Sequence, residues 1–238
     1  MKLHATALER ISPNIARAHI STHAALLRLA DEKLQEPKPA VSGVVVDGST
    51  HGKLIEKNSF KNGRMVFLPQ QTNDHRLILF YDFILGKCWE YIETSATGMA
   101  QGPCRFPLRR EDLEIESCWV IDQRANDYHI LHAHIPNLVS GIIYLDIPVG
   151  MKASTFPDGI LTLIENNPFI VLPEIGDMYL WPSYMLHSVY PFRTKGRRLA
   201  VSFNVRRTGP DGDASVYYTP AYVPVTREQY FGRSAPPR

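Results

Sequence analysis

The sequence predicts a mainly β protein, a sandwich or barrel of short strands behind an N-terminal support helix. Three observations carry this. The second half reads as strand and turn almost throughout: SCWVIDQ, LVSGIIYLDIP, ILTLI, FIVL, MYLW and RLAVSFNVR follow one another at short spacing. Gly, Pro, Asn and Asp separate them, and no βαβ alternation of the kind a parallel sheet needs is present. Helical periodicity is confined to the N-terminal region.

Taken in order, Ser12-Pro13 has the form of a helix start, with a hydroxyl N-cap and proline at the first helical position. Ile20, Ala24, Leu27 and Leu34 then recur at spacings of four, three and seven and mark one apolar face, which Pro37 and Pro39 end. VSGVVV, RMVFL and RLILFYDF are rich in β-branched and aromatic residues and are expected as strands. Trp89 to Thr94 is expected as a short helix, and Ala96 to Glu111 as a loop whose Arg105, Arg109 and Arg110 form a solvated surface. RLAVSFNVR alternates cleanly. Leu199, Val201, Phe203 and Val205 form one face; Arg198, Ala200, Ser202, Asn204 and Arg206 form the other. One domain is expected over 1–238: residues 1–118 support the barrel, 119–206 form its core, and the Pro- and Tyr-containing tail over 207–238 wraps it or stays irregular.

The bulk numbers exclude several classes. A chain of 238 residues builds a core without disulfides or a structural metal. A net charge of +2 gives no argument for nucleic acid or a membrane surface. Cys88, Cys104 and Cys118 are odd in number and widely spaced, which reads as free thiols in a reducing compartment, with Cys118 in a strand core. The stretch MKLHATALERISPN lacks an apolar signal core, and no segment approaches the ~20 apolar residues of a membrane span. A cytoplasmic location is the expectation, and it suits ferrous chemistry.

The chemistry is carried by LHAHIPN and LHSVYPFRTKGRRLAVSFNV. His132 and His134 stand at i and i+2, so on an extended strand they share a face. His187 can close the set from another strand. Three imidazoles hold a first-row metal and leave positions free, the pattern of a non-haem iron oxygenase. Arg198, eleven residues after His187, puts a fixed cation where an acidic co-substrate could end. His4, His19, His23, His51 and His75 carry no such context. His129 is one residue out of phase with the pair, and on a strand it would face away.

From Trp119 to Asn204 the chain resembles a family of 2-oxoglutarate- and Fe(II)-dependent oxygenases from bacteria and phages. Three ordered blocks carry the resemblance: His132-Ala-His134 with Pro136 and Ser140-Gly141-Ile142-Ile143-Tyr144; Gly176-Asp177 with Pro182-Ser183 and His187; and Arg198 to Asn204. It implies a double-stranded β-helix, or jelly-roll, cupin-like core. It also implies Fe(II) held by His132, His134 and His187, 2-oxoglutarate as co-substrate, and O₂. Three histidines would take three of six coordination positions, 2-oxoglutarate two, and O₂ the last. Oxidation of an unactivated C–H bond, with succinate and CO₂ released, is the implied reaction. Most of the wider superfamily has a carboxylate where this chain has His134. Three neutral imidazoles leave the iron at +2, which an acidic bidentate co-substrate would offset; Asp127 and Asp146 are the fallback carboxylates. The anchor departs too. Many relatives carry Ser or Thr two residues after the arginine, where this chain has Ala200, so Arg198 is expected to rely on Ser202, on Tyr144, which is equally a core aromatic, or on a residue that the sequence does not place.

Two rivals remain. A three-histidine cupin-type dioxygenase would need no 2-oxoglutarate, but its glutamate after H-x-H is missing from IPNLV and Arg198 would have no job. A non-enzymatic jelly-roll binding module is countered by the intact histidines. The substrate is expected to be a small molecule or peptide. Arg193, Lys195 and Arg197 are most simply surface charges.

Overall fold

The computed structural model describes residues 1–36, 63–95, 108–135, 137–153, 158–164 and 167–208. The expected strand VSGVVV, Pro37, Pro39, Cys104, Arg105, Pro136 and the C-terminal tail lie outside them.

The chain opens with a hairpin of β1 (Glu9–Ser12) and β2 (Ile15–His19). This corrects the expected helix start at Ser12-Pro13. Ser12 Oγ accepts the Ile15 amide at 3.1 Å across a two-residue turn, and Pro13 occupies the turn position its fixed φ suits. The hydroxyl that would have capped a helix closes the turn instead. Helix α1 (His23–Gln35) starts after Thr22 and buries Leu26, Leu29, Ala30 and Leu34, so of the expected face only Leu34 is fully buried within the helix. Ile20 is buried ahead of it.

After β3 (Arg64–Phe67) comes α2 (His75–Glu93). RLILFYDF is therefore helix, not strand. The Asp74 side chain accepts the Arg76 amide as N-cap, and Leu77, Phe80, Tyr81, Ile84, Cys88, Tyr91 and Ile92 are buried at helical spacing. Nineteen residues with that period outweigh the β propensity of a short apolar run. The helix expected over Trp89–Thr94 is its last turn. A short 3₁₀ turn follows, where Arg110 pairs with Asp82 at 2.5 Å and Arg109 with Asp112 at 3.2 Å. Among the described residues no helix is long and apolar enough to cross a membrane.

Eight further strands complete the fold: β4 (Leu113–Gln123), β5 (His129–His132), β6 (Val139–Asp146), β7 (Leu161–Ile164), β8 (Pro168–Val171), β9 (Asp177–Pro182), β10 (Leu186–Val189) and β11 (Arg198–Arg207). A seven-stranded antiparallel sheet has the order β1-β2-β9-β6-β11-β4-β3, and a four-stranded sheet has the order β5-β10-β7-β8. This is the jelly roll, a double-stranded β-helix. One face of the large sheet packs on α1 and α2 through Cys118, Val120, Val201, Phe203 and Val205. The other faces the small sheet through Ile142, Tyr144, Tyr179, Trp181 and Ala200. Both faces are covered, which is why β11 is buried over its first eight residues despite its polar positions.

Gly141, on the central strand β6, leaves space that side chains of both neighbouring strands fill. A Cβ there would lie 2.3 Å from Phe203 Cζ and 2.8 Å from Leu180 Cδ2. Gly141→Ala is expected to cost about 1–3 kcal/mol of stability through overpacking. Denaturant unfolding measures this; a change below ~0.5 kcal/mol would show that Phe203 turns aside freely.

Candidate metal centre

Strand β5 runs antiparallel to β10, with His132 directly opposite His187, and their ring centroids are 4.2 Å apart. β5 ends at His132, so His134 does not share its strand as expected. A turn brings it in. The His134 amide donates to Ser183 O at 2.8 Å, and its carbonyl accepts Asn137 N at 3.0 Å and Asn137 Nδ2 at 2.9 Å. Its ring then lies 4.8 Å from that of His132 and 5.0 Å from that of His187. One donor atom from each of the three lies within 4.8 Å of the others.

The donor atoms are presented for ligation. Nδ1 of His132 lies 2.6 Å from Ile130 O, and Nδ1 of His187 lies 3.0 Å from Met185 O. A carbonyl only accepts, so Nδ1 carries the proton in both rings and Nε2 is the nitrogen left to face a metal. Burial, followed by the charges of neighbouring histidines, lowers His134 to about 3 and pushes His187 well below its ordinary range. Neutral imidazoles are what a divalent ion requires, so the residues fit the metal.

His129 is a correction. It faces the site, with its ring 6.0 Å from that of His132. Between the His187–His132 and Val189–His129 pairs, β10 advances two residues and β5 three. That extra residue is a bulge, and it reverses the side-chain phase. Asp127 and Asp146 do not join the histidines. Asp127 accepts the Arg124 amide at 2.7 Å to close a turn, and Asp146 accepts Arg197 Nε at 3.1 Å. Among the described residues the group that could hold a metal ion is His132, His134 and His187.

Arg198 opens β11 and is fully buried. Its Nη1 donates to Gln123 Oε1 on β4, its Nη2 to the Tyr144 hydroxyl at 3.2 Å, and its guanidinium lies 4.9 Å from the centre of the Tyr144 ring. No carboxylate pairs with it among the described residues, and Arg198 Nε and Gln123 Nε2 are buried without an acceptor. A buried unpaired cation costs several kcal/mol unless an anion compensates it. This is the environment of a ligand carboxylate, so the residues fit 2-oxoglutarate as well. Burial pushes the Tyr144 hydroxyl up, keeping it protonated and able to donate.

Ser202 is not brought to Arg198. The two share a strand face but stand four residues apart, ~13 Å along the strand. Gln123 is the side chain that meets Arg198 beside Tyr144, and sequence reasoning missed it. Its only signal is the strand phase of Gln123, Ile121, Trp119 and Ser117, and its value depends on knowing that β4 pairs with β11. A cavity of about 580 Å³ lies over the histidines, walled by Phe67, Trp119, Leu161, Trp181 and Ser202 among others. Arg198 and Tyr144 are not among the residues that line it.

Residues 117–204 match the family model described as "Putative 2OG-Fe(II) oxygenase". In structure the chain is similar to a prolyl-4-hydroxylase from Pseudomonas putida, with 15% identity, a TM-score of 0.52, and coverage of 82% of this chain and 94% of that one. It is also similar to EvdMO1, with 11% identity, a TM-score of 0.50, and coverage of 83% of this chain and 47% of that one. At these identities the likeness concerns the fold. No curated protein matches it in sequence. The segment matched by the family model, less than half of the chain, holds all three histidines and Arg198, and over that core the chain is similar to the 2OG-Fe(II) oxygenases, oxidoreductases that work with Fe(II), 2-oxoglutarate and O₂.

Proposed function

We propose that this protein hydroxylates an unactivated C–H bond of a small molecule or peptide, converting 2-oxoglutarate and O₂ to succinate and CO₂. The observation that carries this is the pairing of three clustered histidines with a buried, uncompensated arginine in one interior. His132, His134 and His187 would hold Fe(II) through their free ring nitrogens. Bound together, Fe(II), 2-oxoglutarate and O₂ supply an oxidant able to take hydrogen from such a bond. The remaining work is done by side chains. Arg198 and Gln123 Nε2 receive the far carboxylate of the co-substrate by charge-assisted hydrogen bonds, and the Tyr144 proton adds a donor. Trp119 and Trp181 wall the histidines, with rings 5.7 Å from His134 and 5.2 Å from His187, and limit water there. The cavity sets the upper size of the group oxidised.

The test is anaerobic loading with Fe(II), then addition of O₂ and 2-oxoglutarate without a substrate. Slow formation of succinate is expected. Iron binding without 2-oxoglutarate binding would favour the three-histidine cupin-type dioxygenase. Absence of metal binding would favour the non-enzymatic module.

A further inference from the structure

The strand pairing contains a second bulge, and it carries a carboxylate. Asn204 of β11 pairs with Ser117 of β4, and Val205 pairs with Ile115, so Glu116 is the extra residue. Before the bulge, Cys118 and Val120 face the helices while Ser117, Trp119 and Ile121 line the cavity. After it the phase is reversed: Ile115 packs against the helix-side core, and Glu116 joins the cavity wall. In an unbroken strand Glu116 would point into the apolar layer under α2. The bulge gives up ladder pairing and turns this side chain toward the site.

Glu116 is the one carboxylate in that wall among the described residues. Among the described residues no hydrogen bond or ion pair reaches it, although it is half-buried. The nearby cavity-wall cation, Arg206, is taken by Glu114. Among the described residues the outer end of the cavity therefore carries one carboxylate that no cation pairs with. Trp119, which packs on His134, lies three residues along the same strand, so Glu116 stands ~10 Å from the level of the histidines. The anchor residue Gln123 lies further along in the same direction. The two ends of the site thus have opposite preferences: an anion beside Arg198 and a cation beside Glu116.

From this geometry we infer that the substrate carries a protonated amine or guanidinium, which Glu116 pairs with and so places the rest of the molecule over the histidines. The inference rests on the oxygenase reading for what the bound molecule undergoes, but the charge preference is measurable without turnover. The experiment uses protein loaded with Mn(II) and 2-oxoglutarate under nitrogen, and titration calorimetry with hexylamine, 1-hexanol and hexanoate as matched probes. Hexylamine is expected to bind at least about tenfold more tightly than hexanol, equivalent to ~1.4 kcal/mol. Glu116→Gln should abolish the difference, and Glu116→Lys should move the preference to hexanoate. Equal affinities, no measurable binding of hexylamine, or a preference that survives Glu116→Gln would each overturn the inference and leave Glu116 a solvated rim residue. Metal and 2-oxoglutarate binding by the unsubstituted protein are recorded first. Their failure counts against the oxygenase reading, whereas the amine-to-alcohol ratio reports on Glu116 alone.

Discussion

His187→Ala is expected to abolish Fe(II) binding under conditions where the unsubstituted protein binds one ion. The residue is buried, its Nδ1 proton is held by Met185 O, and its ring lies within 5.0 Å of both other histidine rings. Loss of a mere supporting group typically costs 10–100-fold in metal affinity, so loss of a ligand should cost more than about a hundredfold. His132→Ala and His134→Ala should behave alike, because the three donors form one site. Calorimetry with Mn(II) or Ni(II) reads this, and thermal unfolding shows whether the jelly roll survives. Full metal occupancy in His134→Ala would remove that histidine from the ligand set. Asp127 and Asp146 could not readily replace it, since a turn amide and Arg197 hold them elsewhere.

Arg198→Ala is expected to weaken 2-oxoglutarate binding far more than metal binding. Removing one partner of a buried charge pair typically costs 2–5 kcal/mol, roughly thirty- to several-thousand-fold in affinity. Arg198→Lys should recover only part of this, because lysine keeps the charge but lacks the planar fork that reaches Gln123 and Tyr144 together. Arg197 is the control. It faces away from the site and pairs with Asp31 of α1 at 2.6 Å and with Asp146 at 3.1 Å. Its side chain and those of its partners are 24%, 36% and 39% exposed, so Arg197→Ala should cost ~1 kcal/mol of stability or less. It should leave 2-oxoglutarate binding unchanged. Equal losses in the two alanine variants would mean that the co-substrate is anchored elsewhere. A thermal melt of each variant separates loss of the anchor from loss of the fold.

By itself the sequence determined the order His132, His134, His187, Arg198 and the alternation that divides β11 into two faces. These are short-range properties. A two-residue period, a turn residue and a spacing are all written in consecutive positions. Tertiary structure decided the rest. Ser12-Pro13 has the local chemistry of both a helix start and a hairpin turn, and pairing of β2 with β9 selects the hairpin. RLILFYDF has the composition of a strand, and only its continuation to Glu93 against the large sheet makes it a helix. Gln123 acquires its role because β4 lies beside β11. His129 and Glu116 face the cavity because each lies at a place where one strand advances a residue more than its partner. A bulge belongs to a pair of strands and leaves no mark in either one alone, and those two bulges set which polar side chains surround the site.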